Sequence, residues 1–363
     1  MRRAVTLLDV ARAANVSKTT VSNVFSWPER VRPALRARIE AVARELHYAG
    51  PDPKGRMLSS GKVNAIGVVP IGNFGITLFF THEYGNAFLG GVAHTCEERG
   101  VGLSLVSGRA NEWGINDALV DGFIFESAEQ IDLIEPARRR RLPVVVSGVA
   151  GPDITSITIE NRRGAREVTR HLLELGHRRF VIASVMWQFV PPVFHPPTGA
   201  PRQFVAVGPP ILERMAGVAD ALAEFGLSFD DMPVMEGCGT PEEEAAFGNG
   251  PGMALDLAPE ATAVIALNDG VALNIIEQAK KRGLSVPRDL SVVGFDDVAG
   301  AARSEPPLTT VHHSAFENGR LAASLLLDGG PPRHVVMPVK LVVRASTAPP
   351  RKQPQLEAAE RRP

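Results

Sequence analysis

The first 50 residues show the hydrophobic spacing of short helices. Leu7, Val10, Ala11 and Ala14 recur at i, i+3, i+4 and i+7, the spacing that gives a helix one apolar side. Thr6 opens a T-x-x-D sequence, which is typical of a helix start, because its hydroxyl accepts from an N–H of the first turn. The pattern therefore predicts a first helix that begins directly after Thr6.

Two further helices are predicted behind the first one. Asn15 tolerates positive φ and allows a tight turn, and Ser17 offers a hydroxyl that caps the next helix. Val21 and Val24 give this second helix, of about nine residues, its apolar stripe. A third helix is outlined, after a loop bracketed by prolines, by Leu35, Ile39, Val42 and Leu46. The sequence predicts a helix-turn-helix.

The second helix carries polar residues on the side opposite its valines. Lys18, Thr19, Ser22 and Asn23 share this side. Lysine donates to guanine O6 and N7, and asparagine pairs with adenine N6 and N7, so this face is suited to reading bases. Short hydroxyls near the helix starts are suited to DNA phosphates, namely those of Thr6, Ser17, Thr20 and Ser22. A three-helix bundle with a solvated polar face is the alternative.

From residue 65 onward, short apolar runs alternate with amphipathic stretches. This alternation predicts βαβ units with parallel sheets. The first series of runs covers 66–69, 102–106, 122–125, 143–147 and 156–160, and the second covers 180–184, 233–237, 263–267 and 290–295. Two series predict two lobes, with a ligand cleft where the carboxyl ends of their strands meet.

Composition agrees with a folded protein of two or three domains. The chain has 363 residues, of which 44% are hydrophobic and 22% charged. No apolar stretch approaches the roughly 18 residues of a spanning helix, and Asp9 and Arg12 interrupt any N-terminal secretory signal. The two cysteines, Cys96 and Cys238, do not form a disulfide framework. We therefore expect a cytoplasmic protein without a membrane partner.

Charge is divided unevenly along the chain. Residues 1–62 hold 12 Lys and Arg against 5 Asp and Glu, whereas the whole chain has a net charge of −1. A basic head on an acidic body favours an anionic partner at one end of the chain.

Residues 5–26, VTLLDVARAANVSKTTVSNVFS, resemble the DNA-binding head of the LacI/GalR family of bacterial transcription factors. The resemblance implies that the first, second and sixth residues after the capping serine read bases, and these are Lys18, Thr19 and Asn23. Arginine is commoner than asparagine at the last position, and glycine is commoner than Asn15 in the turn. The departure at Asn23 affects which operator sequence is expected, but it does not affect the predicted function.

Residues 46–62 are rich in proline and glycine and resemble the hinge of the family. That hinge is a helix that forms only on operator DNA and pushes a leucine into the minor groove. Leu58 matches the leucine if one residue is inserted around Ala49-Gly50. Pro53 and Gly55 disfavour a helix in isolation, as a conditional helix requires. A plain linker is the alternative.

The resemblance extends over nearly the whole body, through 159–184, 214–227, 266–273, 285–297, 306–311 and 337–347. It implies an all-α helix-turn-helix head and an α/β body of two doubly wound parallel-sheet lobes, like a type I periplasmic binding protein. We expect the chain to cross between the lobes near Asn161, Val311 and Pro332. The predicted domains are 1–48 for the head, 49–62 for the hinge, 63–162 with 312–332 for the first lobe, 163–311 with 333–348 for the second lobe, and 349–363 for the tail.

Three polar residues carry the prediction of an effector site. Arg214 opens a helix after a long loop, Asn268 follows the run 263–267, and Asp296 follows the run 290–295. Each matches a family position that contacts the effector, and guanidinium and carboxylate groups bind hydroxyl pairs well. For their neighbours, Asp269 and Asp297, we expect structural hydrogen bonds.

Several features depart from the family or carry no chemistry. Ser147-Gly148 stands where the family often has an acidic residue after its fourth strand. Residues 191–210 contain seven prolines and form either a lid, contributing Phe194, His195 or Arg202, or an exposed insertion, which we favour. Candidates for stacking on a sugar ring are Phe74, Phe79, Phe80 and Trp187. His312-His313 lacks a second ligand cluster, so no metal site is expected. The sequence shows neither a nucleophile elbow nor a glycine-rich dinucleotide fingerprint, so we expect no cofactor and no enzymatic site.

We expect a homodimer, because one helix-turn-helix covers only a half-site. The resemblance implies a near-palindromic operator and a small-molecule effector that controls lobe closure and folding of the hinge. The leading hypothesis is a repressor of a carbohydrate-utilisation operon. A second keeps the DNA binding but has a nucleoside, a purine or a protein as its signal. A third, a solute-binding protein or enzyme with the same body, would lack residues 1–62 or carry an export signal.

Overall fold

The structure is a computed structural model in which the chain forms two units, Met1–Asn64 and Ala65–Pro363. The residues described are 5–52, 55, 57, 61–70, 76, 79–107, 113–126, 131–149, 151, 153–185, 190–204, 207–237 and 241–351.

The first unit contains the three predicted helices, α1 (Leu7–Ala13), α2 (Lys18–Ser26) and α3 (Pro33–Glu45), with a 3₁₀ turn at Pro28–Arg30. Helix α1 begins with the predicted cap. The Thr6 hydroxyl accepts from the Asp9 N–H, and the Asp9 carboxylate accepts from the Thr6 N–H at 2.9 Å. This reciprocal arrangement satisfies N–H groups that the first turn leaves without helical partners.

The turn between α1 and α2 also follows the sequence prediction. Asn15 has φ 49°, in the left-handed region, and the Ser17 hydroxyl accepts from the Thr20 N–H at 3.0 Å. The three helices pack around a small buried core of Val10, Ala11, Ala14, Val21, Val24, Ile39 and Ala43. Burial of these residues fixes the angle between α1 and α2 and leaves the other side of α2 to solvent.

The second unit is an α/β body. It begins with β1 (Ala65–Val69), α4 (Glu83–Arg99), β2 (Gly102–Leu105), α5 (Trp113–Asp117), β3 (Phe123–Phe125), α6 (Ile131–Arg139), β4 (Val144–Ser147) and β5 (Thr155–Ile159). It continues with α7 (Asn161–Glu174), β6 (Phe180–Ser184), β7 (Val193–His195), α8 (Pro209–Glu224), β8 (Val234–Glu236), α9 (Pro241–Phe247), α10 (Gly250–Leu257), β9 (Ala263–Ala266) and α11 (Asp269–Lys281). It ends with β10 (Ser291–Val293), α12 (Ala299–Arg303), β11 (Thr310–His312), α13 (Ala315–Asp328), β12 (His334–Met337) and β13 (Lys340–Val342).

The first lobe is built on a parallel sheet in the order β12-β5-β4-β3-β1-β2, buried on both faces. On β3, Ile124 faces the core shared with α4 and α13, whereas Phe123 and Phe125 face the core shared with α5 and α6. Helices α4 and α13 approach closely at two glycines. A Cβ added to Gly91 or to Gly319 would lie 1.9 Å from a carbonyl oxygen of the other helix.

The second lobe is built on a sheet in the order β10-β9-β6-β8-β7. Four strands are parallel, and β7 is an antiparallel edge strand beside β8. One core joins this sheet to α7, α8, α10 and α11. The parallel strands of the two sheets confirm the fold class predicted from the alternation of apolar runs.

The third predicted crossing, near Pro332, is wrong. Strand β12 pairs with β5 in parallel, with His334 opposite Ser156, so residues 333–337 belong to the first lobe. Gly329 and Gly330 adopt positive φ after α13, where the chain turns back toward this sheet. The two prolines that follow them lie before β12 and do not interrupt the strand. The chain leaves the first lobe at Glu160, between β5 and α7, and finally after Met337, while β11 and β13 form a two-stranded ribbon.

Most described residues of the proline-rich segment 191–210 are exposed, as favoured, and Phe194, His195 and Arg202 do not line the cleft. The segment supplies β7, and the Arg202 guanidinium donates to the carbonyls of His195, Met232 and Phe229. His195 lies 2.8 Å from the fully buried Glu236 carboxylate. These bonds fix the segment along the edge of the second sheet.

Candidate functional site

A cleft lies between the two lobes of the second unit and encloses about 640 Å³ of empty space, counted out to its open mouth. The first lobe and the crossing segments contribute Tyr84, Glu126, Ser147, Gly148, Ile157, Thr158, Ile159, Asn161, His313 and Asn318. The second lobe contributes Val185, Pro210, Ile211, Arg214, Asn268 and Asp296. All three predicted effector residues therefore line one cavity.

Arg214 is the centre of the second-lobe wall. It projects from α8, is 7% exposed, and stacks its guanidinium 3.7 Å over the Phe295 ring. Nε donates to Asn161 Oδ1 at 2.8 Å, Nη1 to the Leu267 carbonyl at 2.6 Å, and Nη2 to Asp296 Oδ1 at 3.0 Å. A guanidinium has five N–H groups, so these bonds fix its plane and leave two N–H groups for a ligand.

The backbone beside Arg214 is held in an unusual conformation. Asp296 has φ 113° and Asp297 has φ 54°, both in the region that L-residues avoid. The Asp297 carboxylate is anchored by Arg344 at 2.6 Å and by His312 at 2.9 Å. These two partners belong to the crossing segments, so the conformation that aims Asp296 into the cleft depends on the segments that connect the lobes.

His313 joins Asp296 to the first-lobe wall. It is 3% exposed, and its Nε2 donates to Asp296 Oδ1 at 3.1 Å, because a carboxylate can only accept. Burial lowers the pKa of His313 despite the neighbouring Asp296 carboxylate. The neutral ring therefore keeps a lone pair on Nδ1, which is buried and has no hydrogen-bond partner among the described residues.

Asn268 has a structural bond as well as a place in the cleft. Its Oδ1 caps α11 by accepting from the Val271 N–H at 2.8 Å. The next residue, Asp269, is fully buried and accepts from the Thr310 hydroxyl at 2.5 Å and from the Val298 N–H at 2.9 Å. Burial, with a further contribution from Asp296, raises the pKa of Asp269 to about 8. Asp269 and Asp297 thus make the structural bonds expected of them.

The first-lobe wall presents polar groups that the sequence prediction missed. Asn318 on α13 donates to the Ser147 hydroxyl at 3.0 Å and to the Tyr84 hydroxyl at 3.3 Å. Its Oδ1 is buried without a partner among the described residues. Burial, followed by the charges of Asp296 and Glu126, raises the pKa of Tyr84, so its hydroxyl stays protonated.

One of the lining residues that the prediction missed could have been found from the sequence. Glu126 directly follows the apolar run 122–125, so the strand-end rule that found Asn268 and Asp296 also points to it. Tyr84, His313 and Asn318 lie outside strand ends, and only the fold brings them to the cleft.

None of the aromatic residues predicted to stack on a sugar is found among the described residues that line the cleft. Phe79 is 5% exposed and packs against Gly85, and Phe80 is 51% exposed, with neither lining the cleft. Phe74 and Trp187 lie outside the described residues. Tyr84 and His313, whose ring centroids are 5.4 Å apart, are the aromatic rings among the described lining residues.

A direct contact bridges the two lobes. The Glu83 carboxylate on α4 accepts from the Gly300 N–H of α12 at 2.7 Å and lies 3.6 Å from Arg303. Helix α4 packs in the core of the first lobe, and Ala301 of α12 packs in that of the second. This contact requires the lobes to lie close together.

In the first unit, the predicted base-reading residues lie on the accessible side of α2. Lys18 and Thr19 are exposed and Asn23 is half-buried, whereas Val21 and Val24 face the core. The hydroxyls of Thr6 and Ser17 cap α1 and α2, and Thr20 hydrogen-bonds to Ser17 at 2.8 Å. Ser22 is half-buried. Leu58, the predicted hinge residue, lies outside the described residues.

The described part of the chain lacks both a metal-binding cluster and a membrane-spanning helix. It contains no group of three or more His, Cys, Asp or Glu side chains placed to hold a metal ion. None of its helices combines the length and apolar character needed to cross a membrane.

A helix-turn-helix unit and a two-lobed body with a polar cleft define a ligand-responsive regulator. Residues 6–50 match the profile described as bacterial regulatory proteins, lacI family, and residues 169–347 match a periplasmic binding protein-like domain. An HTH-type transcriptional regulator of Mycolicibacterium smegmatis is 33% identical over 376 residues, covering 96% of this chain and 98% of its own. The chain therefore belongs to the lacI family of bacterial transcription regulators, which are not enzymes.

Solved structures of other proteins agree with this assignment. A CelR–cellobiose complex is 27% identical with a TM-score of 0.63, covering 94% of this chain and 99% of its own. The lac repressor dimer bound to operator is 23% identical with a TM-score of 0.72, covering 95% of this chain and all of its own. The second likeness confirms the two-lobed fold.

Proposed function

We propose that this regulator is a homodimeric repressor that binds a near-palindromic operator and responds to a carbohydrate bound between its lobes. Each head would read one half-site with Lys18, Thr19 and Asn23, because one helix-turn-helix covers only a half-site. The accessible polar side of α2 and the positive charge of residues 1–62 support this role. Phosphate contacts would come from Thr6, Ser17, Thr20 and Ser22.

The observation that carries the effector proposal is the polar network at the centre of the cleft. Arg214 is fixed by Asn161, Leu267 and Asp296, so its remaining N–H groups and the Asp296 carboxylate face the cavity in a set orientation. Such a preorganised set binds adjacent hydroxyl groups, which both donate and accept. Asn268 would complete it through its amide nitrogen.

A sugar fits the lining better than a purine does. A purine ring is usually held by stacking, but Tyr84 and His313, the rings among the described lining residues, already pack against each other. The CelR structure, similar over 94% of this chain, contains cellobiose in its complex. Both observations favour a carbohydrate over a nucleoside.

Effector binding would act by changing the balance between two lobe arrangements. The Glu83–Gly300 contact and the anchoring of Asp297 by His312 and Arg344 tie the cleft to lobe closure. Differential affinity of the effector for the two arrangements supplies the whole driving force. We propose that residues 49–62, with Leu58, form a helix on operator DNA in one arrangement only.

A thermal-shift panel on the full chain tests the effector class, because a ligand raises stability by RT ln(1 + [L]/Kd). Neutral mono- and disaccharides are compared with purine and pyrimidine nucleosides at matched concentrations. The proposal expects stabilisation by a sugar and none by nucleosides. Stabilisation by a nucleoside alone would contradict the carbohydrate effector and favour the second hypothesis.

DNA binding is tested separately, with a duplex selected from a random library at about 50 mM salt, where phosphate contacts are strongest. We expect a near-palindromic sequence to be selected and two chains to bind each duplex. Failure to bind any duplex at this salt concentration would remove the repressor proposal.

A further inference from the structure

The cleft holds a second carboxylate besides Asp296. Glu126 directly follows β3 in the first lobe, lines the cleft and is 4% exposed. Asp296 belongs to the second lobe, and its side chain is 13% exposed. The charges of both lie close enough to Tyr84 to act on its hydroxyl. The first lobe therefore presents a buried carboxylate, and the second lobe a partly buried one, to the same space.

The neutral groups of the lining add to this excess of acceptors. Asn318 Oδ1 and His313 Nδ1 are buried acceptors without a partner among the described residues. Each of the three nitrogens of Arg214, the one cationic side chain of the described lining, already donates within the protein. The described lining thus holds unsatisfied acceptors, and a ligand that donates several hydrogen bonds would satisfy them.

The same inventory disfavours an anionic ligand. A phosphate or carboxylate group only accepts hydrogen bonds, and it would carry negative charge into a space bordered by Glu126 and Asp296. The Arg214–Asp296 ion pair is neutral as a unit, so Glu126 gives the described lining a negative formal charge. Hydroxyl groups donate to carboxylates and bring no charge. The cleft would therefore select against charged analogues by repelling their negative charge, as well as by binding the hydroxyls of neutral ones.

We propose that the effector is an uncharged polyhydroxylated compound, and that Glu126 determines specificity by accepting from its hydroxyls and excluding phosphorylated or acidic analogues. This inference rests on the proposed function of the cleft and names the class of carbohydrate. A carboxylate has about four acceptor positions, so Glu126 can accept from a ligand in addition to its contacts within the protein. Glu126 follows β3, which pairs with β4, so its carboxylate lies one strand away from Ser147.

The first test compares matched pairs on the full-length wild-type protein by isothermal titration calorimetry. Each neutral compound is paired with a charged partner: ribose with ribose 5-phosphate, glucose with glucose 6-phosphate, and cellobiose with cellobionic acid. We expect binding by at least one neutral member and at least about tenfold weaker binding by its charged partner. Equal or tighter binding of the charged partner overturns the inference while leaving a carbohydrate-responsive regulator in place. Absence of binding by every neutral member overturns the inference and the carbohydrate effector together.

The second test uses Glu126→Gln, which keeps the shape and removes the charge. Hydrogen bonds to charged groups are stronger than those to neutral groups, so the affinity of Glu126→Gln for the neutral ligand should fall at least about tenfold. The affinity for the charged partner should fall less or should rise. The ratio between the affinities for the neutral and the charged compound therefore becomes smaller. A folding defect would weaken both members alike, and so it does not imitate this result. Glu97→Gln, on the exposed end of α4, removes the same charge from the same lobe and should bind both members like wild type. Unchanged discrimination in Glu126→Gln overturns the role of Glu126.

Discussion

Replacing Arg214 with alanine tests the dual role of this residue in the cleft. The substitution removes three donors at once, to Asn161, to the Leu267 carbonyl and to Asp296. It also removes the guanidinium that covers the Phe295 ring at 3.7 Å. From the sequence alone, Arg214 is a ligand contact whose loss would leave operator binding intact. In the structure, Arg214 also supports the second lobe.

The expected cost follows from what is left behind. Asp296 keeps a carboxylate whose side chain is 13% exposed, now without its cation and next to the buried Asp269. Removing one partner of a buried ion pair destabilises by about 3–5 kcal/mol, because the remaining charge is uncompensated. We therefore expect a loss of that size in the free energy of unfolding, together with loss of the effector response.

Urea unfolding of the full chain, followed by far-UV circular dichroism, measures this loss. Arg170→Ala is the matched control, because Arg170 pairs with Glu174 at 3.3 Å on an exposed helix surface. Such a pair contributes less than about 0.5 kcal/mol, so the control should unfold like wild type. If Arg214→Ala also unfolds like wild type, the buried network does not support the lobe. If it still responds normally to the effector, the ligand site lies elsewhere.

Three further predictions follow from particular contacts. Asn23→Ala should change discrimination at one operator base pair by about 1–3 kcal/mol in competition binding, and a uniform loss across sequences would argue against base reading. The pKa of Asp269 is about 8 in the folded protein, against an ordinary value of 3.8. Protonation of this carboxyl therefore contributes fully to the free energy of unfolding below about pH 4, and the contribution is lost as the pH rises to about 8. Asp269→Asn should therefore gain stability relative to wild type between pH 5 and pH 8 in urea titrations, and an equal difference at both pH values would contradict the assignment. Gly319→Ala should destabilise by at least about 1–3 kcal/mol, since its Cβ would lie 1.9 Å from the Phe88 carbonyl, and a wild-type melting temperature would refute the close packing of α4 and α13.

The parts of the fold that the sequence predicts are those set by local chemistry. Thr6, Asn15 and Ser17 each act within a few residues, so the start of α1, the turn and the start of α2 follow from them directly. Runs of β-branched residues predict β6 at its observed bounds, because a strand buried on both faces is apolar throughout.

The parts that escaped prediction depend on contacts between distant residues. Strand β12 joins β5 because glycines after α13 turn the chain back, and a Pro-Pro pair alone gives no indication of the sheet to which the next strand belongs. His313 and Asn318 reach the cleft only because the second crossing and α13 pass beside it. Glu126 was within reach of the strand-end rule, since it follows a predicted strand.

The most direct test of the proposed coupling is operator affinity measured with and without a saturating effector found in the sugar panel. Fluorescence anisotropy of a labelled selected duplex, titrated with the full-length protein, gives both dissociation constants. A coupling free energy of about 1–3 kcal/mol predicts a change of about 5- to 150-fold, and the reverse titration should show the same factor in the affinity for the sugar. Identical operator affinity at saturating sugar would contradict communication between cleft and head.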